Sequence, residues 1–263
     1  MNTSYNRLLQ DLKDLGIKEG DVLVVHSSYK SMGEVEGGAE CVIAAMKAAV
    51  GREGTLLFPT FTFNSSYRTS YFSNVDTPSC VGYLSEYFRK TEGVIRTNHP
   101  THSVAVYGKL RSEMNEGVEL DDTPMGIHSP YRKLSKYGAK ILMLGCTMAA
   151  NSFMHAIDEA VDAPFALRWH QEYTIVDQNG NETKRKIRRH NFSRPSGINL
   201  KQRYDRTLEI LEENVDYKIG TVHGAHAVLI SSTLLEQKVV KKLKEDPLFF
   251  AGDPYGLYDY LKK

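Results

Sequence analysis

A chain of 263 residues, 41% hydrophobic and 25% charged, has the length and make-up of a globular protein able to bury a sizeable core. Lysine and arginine number 33 against 32 acidic residues, so no global field favours nucleic acid or an anionic membrane surface. Three scattered cysteines, Cys41, Cys80 and Cys146, argue against a disulfide framework or a zinc ribbon and for a reducing, cytoplasmic setting. The opening MNTSYNRLLQDL lacks the apolar core of a signal peptide, and no apolar run approaches the ~20 residues that cross a bilayer.

Leu8, Leu9, Leu12 and Leu15 recur at helical spacing up to a stop at Gly16. DVLVVHSS predicts a buried strand, Val22 to Val25, running into a polar loop, and AECVIAAMKAAV predicts a helix after Gly37 and Gly38. TLLFPTF is a second short strand ended by Pro59, SCVGYLSEYFRKTEG another helix and SVAVYG another strand. AKILMLGC, Ala139 to Cys146, is a fourth continuous apolar run, as expected of a central strand covered on both faces. The helix that follows it carries NSFMHAIDEA. EYTIVDQNGNETKRKI predicts a hairpin with a type I′ turn at Asn179–Gly180, its basic run a solvated strand face. LKQRYDRTLEILEENV then reads as a charged amphipathic helix, HGAHAVLIS as a strand and STLLEQKVVKKLKEDP as the last long helix. With no internal repeat and no flexible linker, the pattern predicts one α/β domain over residues 1–263. Its central sheet is mixed and flanked by helices, with an added antiparallel hairpin.

Ligands in such folds gather at the carboxyl ends of strands. HSSYKSMGEVEGG, from His26 to Gly38, suits an anion: Ser27, Ser28 and Ser31 offer hydroxyls, and Gly33 permits close backbone approach. The same stretch also reads as a plain helix-capping turn. It matches no Walker A or dinucleotide fingerprint, and the chain has no G-x-S-x-G elbow. HPTH, with His99 and His102, has the spacing of two metal ligands, but Pro100 between them breaks the helix that would aim both rings, so no metal site is expected. His155 lies one helical turn before Asp158 and Glu159, so either carboxylate can share its face. Taken alone, that spacing is more often an ordinary helix pair than a general base with its orienter.

Five blocks in register, DVLVVHSSYKSMGEVEGG, GTLLFPTFT, HPTHSVAVYG, DDTPMGIHSPYRKL and GCTMAANSFMHAIDEAVDAP, resemble the aminoglycoside N3-acetyltransferase family, also called antibiotic N-acetyltransferases. The resemblance covers nearly the whole chain, to GAHAVLI and DPLFF. It implies acetyl transfer from acetyl-CoA to an amine of a small molecule such as an aminoglycoside, without a metal, on a fold distinct from that of the common N-acetyltransferase superfamily. It further implies a coenzyme A channel lined by His26, Ser27, Ser28, Ser31 and Gly33 and by Thr101, His102 and Ser103. His155 takes the place of the family's base, with Asp158 or Glu159 beside its ring. Where better-studied members use a carboxylate on a later strand, IRRHNFS offers His190 as a second base. That departure leaves open a family member that binds coenzyme A or an antibiotic without acetylating aminoglycosides, or that acetylates a different amine. Neither nucleic acid nor membrane is an expected partner, and monomer and homodimer both remain open.

Overall fold

The computed structural model describes residues 3–163, 165–190 and 200–252. Pro164 and Asn191 to Ser193, which end two of the motifs above, lie outside them. In chain order the strands are β1 (Val22–Ser27), β2 (Thr55–Pro59), β3 (Tyr71–Ser73), β4 (Ile95–Arg96), β5 (Val104–Gly108) and β6 (Lys140–Leu144). They continue as β7 (Leu167–Val176), β8 (Glu182–His190), β9 (Lys201–Gln202), β10 (Tyr217–Val222), β11 (Ala225–Ser231) and β12 (Ala251–Gly252). The helices are α1 (Thr3–Leu15), α2 (Gly38–Val50), α3 (Phe63–Thr69), α4 (Tyr83–Arg89), α5 (Arg111–Asn115), α6 (Pro130–Lys133), α7 (Phe153–Ala160) and α8 (Ser232–Glu245).

A seven-stranded sheet in the order β10-β11-β6-β1-β2-β5-β4 forms the body of the fold. At its centre β6, β1 and β2 run parallel, and the outer strands pair antiparallel. Parallel strands covered on both faces must be apolar at every position, which is why the three runs of β1, β2 and β6 lack alternation. Their side chains still alternate in space. Leu23, Val25, Leu56 and Leu142 face a core shared with Leu8 and Leu12 of α1 and Val42 and Met46 of α2. Val22, Val24, Leu57 and Ile141 face the opposite core, with Phe153 and Ile157 of α7 and Leu235 and Val239 of α8.

The parallel strands end together at Ser27, Pro59 and Leu144, and each is followed by a short connection to a helical segment. Gly145, just past β6, is forced: its φ is +66°, and a Cβ there would overlap the Ser31 hydroxyl. The hairpin β7–β8, with β3 added parallel to β7, forms a separate three-stranded sheet around Phe72, Tyr173, Ile175 and Ile187. Its last residue, His190, pairs across the ladder with Leu167.

The mixed central sheet, the flanking helices and the hairpin agree with the sequence-based expectation. Three local readings are corrected. At the hairpin tip only Gly180 has positive φ, so the connection is a turn closed by Asp177 accepting from Gly180 N at 3.1 Å, followed by a left-handed glycine, rather than type I′. The segment read as an amphipathic helix is β9 followed by a 3-10 stretch, Tyr204–Glu209. Its charges pair locally, Arg203 with Asp205 and Arg206 with Glu209, while Tyr204 and Thr207 turn inward. The sequence reading also lacked β10, which forms the sheet edge.

Candidate active site

His155 projects from α7, on the apolar-faced helix that follows β6. Its Nδ1 lies 2.8 Å from the Tyr204 hydroxyl and 2.8 Å from His190 Nδ1. Neither helix carboxylate touches the ring. Instead, each acts through one intervening side chain. Glu159 Oε1 sits 2.6 Å from His190 Nε2, and Tyr204 donates to Asp158 Oδ2 at 2.5 Å. The expectation of a carboxylate directly beside His155 is therefore corrected: the Tyr204 hydroxyl stands between the ring and Asp158, and His190, at the end of β8, between the ring and Glu159.

One proton arrangement satisfies these contacts with both imidazoles neutral. Glu159, also fixed by Met125 N at 2.8 Å, accepts the His190 Nε2–H. His190 Nδ1 then accepts from His155 Nδ1–H, which also meets the Tyr204 oxygen, and the lone pair of His155 falls on Nε2. Burial and the neighbouring His190 hold His155 well below the usual histidine range, so the ring is unprotonated at neutral pH. Burial raises Asp158 to about 8, with the Glu159 charge adding and the Tyr204 hydrogen bond opposing. Either protonation state of that carboxyl can accept from Tyr204 through Oδ2. Burial and the nearby acids push the Tyr204 phenol well above its ordinary value, so it remains a donor.

His155 forms part of the wall of a cavity of about 250 Å³ above the ends of the parallel strands. His26 and Ser27 from the end of β1, Pro59 from β2 and Cys146 from beyond β6 supply one side. Phe61, Phe63 and Val81 make an apolar side, and His102 closes toward His155 at 6.3 Å between ring centroids. Of the residues expected in a coenzyme A channel, His26, Ser27 and His102 meet in this cavity, whereas Ser28, Ser31, Gly33, Thr101 and Ser103 are not in its wall.

The reasons are local. Ser31 donates to Ser28 O at 2.7 Å. Ser103 donates to Thr60 O at 2.8 Å and accepts from Arg96 Nε at 3.0 Å, which leaves it no hydrogen for an oxyanion. Buried Thr101 bonds His102 Nδ1 at 2.8 Å. His99 uses both ring nitrogens inside the protein: Nδ1 accepts from the amide of His102 at 3.0 Å, and Nε2 donates to Thr123 O at 3.1 Å. Among the described residues no set of three His, Cys, Asp or Glu side chains is placed to hold a metal ion. Tyr204 escapes the sequence reading because its segment has the pattern of a surface helix, and Asn151 and Gln202 of the cavity wall carry no recognisable motif.

The sequence pattern of the family described as Aminoglycoside 3-N-acetyltransferase matches residues 24–244. The chain belongs to that family. Similar proteins include an Aminoglycoside N(3)-acetyltransferase III from a Salmonella species, 30% identical over 174 residues that make up 60% of each chain. An Aminoglycoside N(3)-acetyltransferase IV, also from Salmonella, is 28% identical over 249 residues, 95% of this chain and 90% of that one. The alignments span 60% and 66% of the length of the first curated relatives. In fold, the chain is similar to the apoenzyme of aminoglycoside acetyltransferase AAC(3)-IVa, with a TM-score of 0.79, 25% identity and coverage of 97% and 93% of the two chains. The binary structure of AAC-IIIb with CoASH has the same fold, with a TM-score of 0.79 at 23% identity over 96% and 98%. Among the described residues no helix is long and apolar enough to cross a membrane.

Proposed function

We propose that this protein transfers an acetyl group from acetyl-CoA directly to a small-molecule amine, with His155 as general base. The observation that carries this reading is the convergence of two polar arms, Glu159–His190 and Asp158–Tyr204, on Nδ1 of a histidine that lines the cavity. A bound acceptor amine must lose a proton as it attacks the thioester carbon. His155 Nε2 takes that proton, and the cation that forms is stabilised through His190 by the Glu159 carboxylate. His190 thus acts through His155 rather than as a separate base. The apolar wall of Phe61, Phe63 and Val81 suits the pantetheine arm, and family membership together with a relative's complex with CoASH supports acetyl-CoA as donor.

For the acceptor, the family and a relative bound to a gentamicin favour an aminoglycoside amine. A specific observation favours a second reading, an amine that is not polycationic. No Asp or Glu among the described residues forms part of the cavity wall, Asp121 is tied to His128, and Asp122 and Asp162 are exposed. The test is acetyl-CoA turnover, followed by thiol release, against several aminoglycosides and simple amines. Release with any of them supports acetyl transfer, and the set that reacts decides between the two acceptors. A thermal shift with acetyl-CoA but no release across the panel would replace the proposal with a binding protein.

A further inference from the structure

His26 is 3% exposed, yet among the described residues no side chain or backbone group hydrogen-bonds its ring, and Nε2 is sealed from solvent without a partner. Buried polar groups without partners are rare, and a phenylalanine would fill the same space without stranding a nitrogen. Burial drives this imidazole down to about 3, so it is neutral and carries one N–H. Placing that hydrogen on the sealed Nε2 would strand a donor, which proteins tolerate less readily than a stranded lone pair. The hydrogen therefore belongs on Nδ1, the only ring nitrogen that can meet a molecule in the cavity that His26 and His155 both line.

We infer that His26 donates its Nδ1–H to the carbonyl oxygen of the bound thioester and holds the oxyanion formed during transfer. The inference rests on the acetyltransferase reading above. The amine lone pair forms the C–N bond, and the carbonyl π pair moves onto oxygen, where the His26 N–H meets it. The ammonium proton passes to His155 Nε2. The oxygen pair then re-forms the carbonyl, and the C–S bond breaks with its electrons on the thiolate of coenzyme A. A donor whose surroundings keep it neutral neither competes with His155 for the proton nor repels the acceptor as a cation. It is also fixed before the reaction begins, next to the Phe61 and Tyr131 rings rather than in bulk water. Lining the coenzyme A channel, the role the resemblance implies for His26, places its ring where the thioester carbonyl must lie, and Ser103 has no hydrogen to offer.

The test is the infrared carbonyl stretch of acetyl-CoA labelled with 13C at the carbonyl and bound without acceptor. In the wild-type protein it should fall below that of free acetyl-CoA. His26→Ala should abolish the fall and lower kcat about 100-fold, a single oxyanion donor's effect, with little change in calorimetric affinity for acetyl-CoA. His26→Asn, whose Nδ2 occupies the place of Nδ1, should restore both readouts, whereas His26→Gln should not. An identical stretch in wild type and His26→Ala, or restoration by Gln and not Asn, overturns the inference. If wild type bound no acetyl-CoA at all, the acetyltransferase reading would fall, and the inference with it.

Discussion

Replacing Tyr204 with phenylalanine removes one hydroxyl that meets both His155 Nδ1 at 2.8 Å and Asp158 Oδ2 at 2.5 Å. The ring is fully buried, so the substitution leaves packing intact and isolates the hydrogen bonds. Among the described residues Asp158 Oδ1 already has no hydrogen-bond partner, and Oδ2 would lose the hydroxyl. With the carboxyl protonated, the expected loss of stability is ~1–3 kcal/mol for a stranded polar group. With it ionised, the loss rises to ~3–5 kcal/mol, as for a buried charge without its partner. The direction with pH follows from linkage. The Asp158 pKa is raised on folding, from 3.8 to about 8, so wild-type stability falls as pH rises through that window and levels above it. The Tyr204 bond opposes the rise, so in Tyr204→Phe the folded value climbs further and stability goes on falling above pH 8. Urea denaturation of both proteins at pH 6 and pH 9 should give the larger difference at pH 9. Equal differences, or a larger one at pH 6, would refute an acid held by this hydroxyl. The same variant should lose ~10-fold in kcat, because His155 keeps its contact with His190.

Glu159→Gln leaves the His190 Nε2 contact but removes its charge, so the cation formed on His155 loses support; kcat should drop ~10- to 100-fold with acetyl-CoA affinity unchanged, measured by initial rates and calorimetry. Arg96 is buried, with no carboxylate among the described residues in ion-pair range, and donates to Ser103 Oγ and to the backbone carbonyls of Thr60, Asn74 and Thr77. Arg96→Met should destabilise by ~3 kcal/mol or more, read as a lower urea midpoint, since it strands those acceptors. Gly145→Ala meets both a left-handed φ and the Ser31 hydroxyl, so ~2 kcal/mol of stability should be lost, and a Ser31→Gly background should return part of it.

How far the sequence reveals this site depends on how far apart its parts lie along the chain. β1, β2 and β6 are buried on both faces, so each leaves a continuous apolar run, and the loops at their ends can be placed from those runs alone. The i,i+3 and i,i+4 spacing puts His155, Asp158 and Glu159 on one face of α7. It cannot tell that Tyr204 and His190, 49 and 35 residues further on, take the positions next to the ring. His190 is reached only through a family resemblance and its place at the end of a strand. Tyr204 is hidden because its Arg and Asp neighbours imitate the polar face of a helix, when they are pairs formed within a 3-10 stretch. The serines of the first loop illustrate the opposite error. Hydroxyls suited to a ligand are legible, but Ser31 is consumed by a backbone carbonyl, and only its neighbour Ser27 reaches the cavity.

The most direct measurement is single-turnover acetyl transfer by His155→Ala beside its calorimetric affinity for acetyl-CoA, using whichever amine the wild type accepts. A base worth ~10²- to 10⁴-fold predicts a rate lowered by at least the smaller factor, binding little altered, and partial recovery with added imidazole. A rate within about threefold of wild type, in a folded variant that binds acetyl-CoA normally, would contradict the assignment of the proton acceptor.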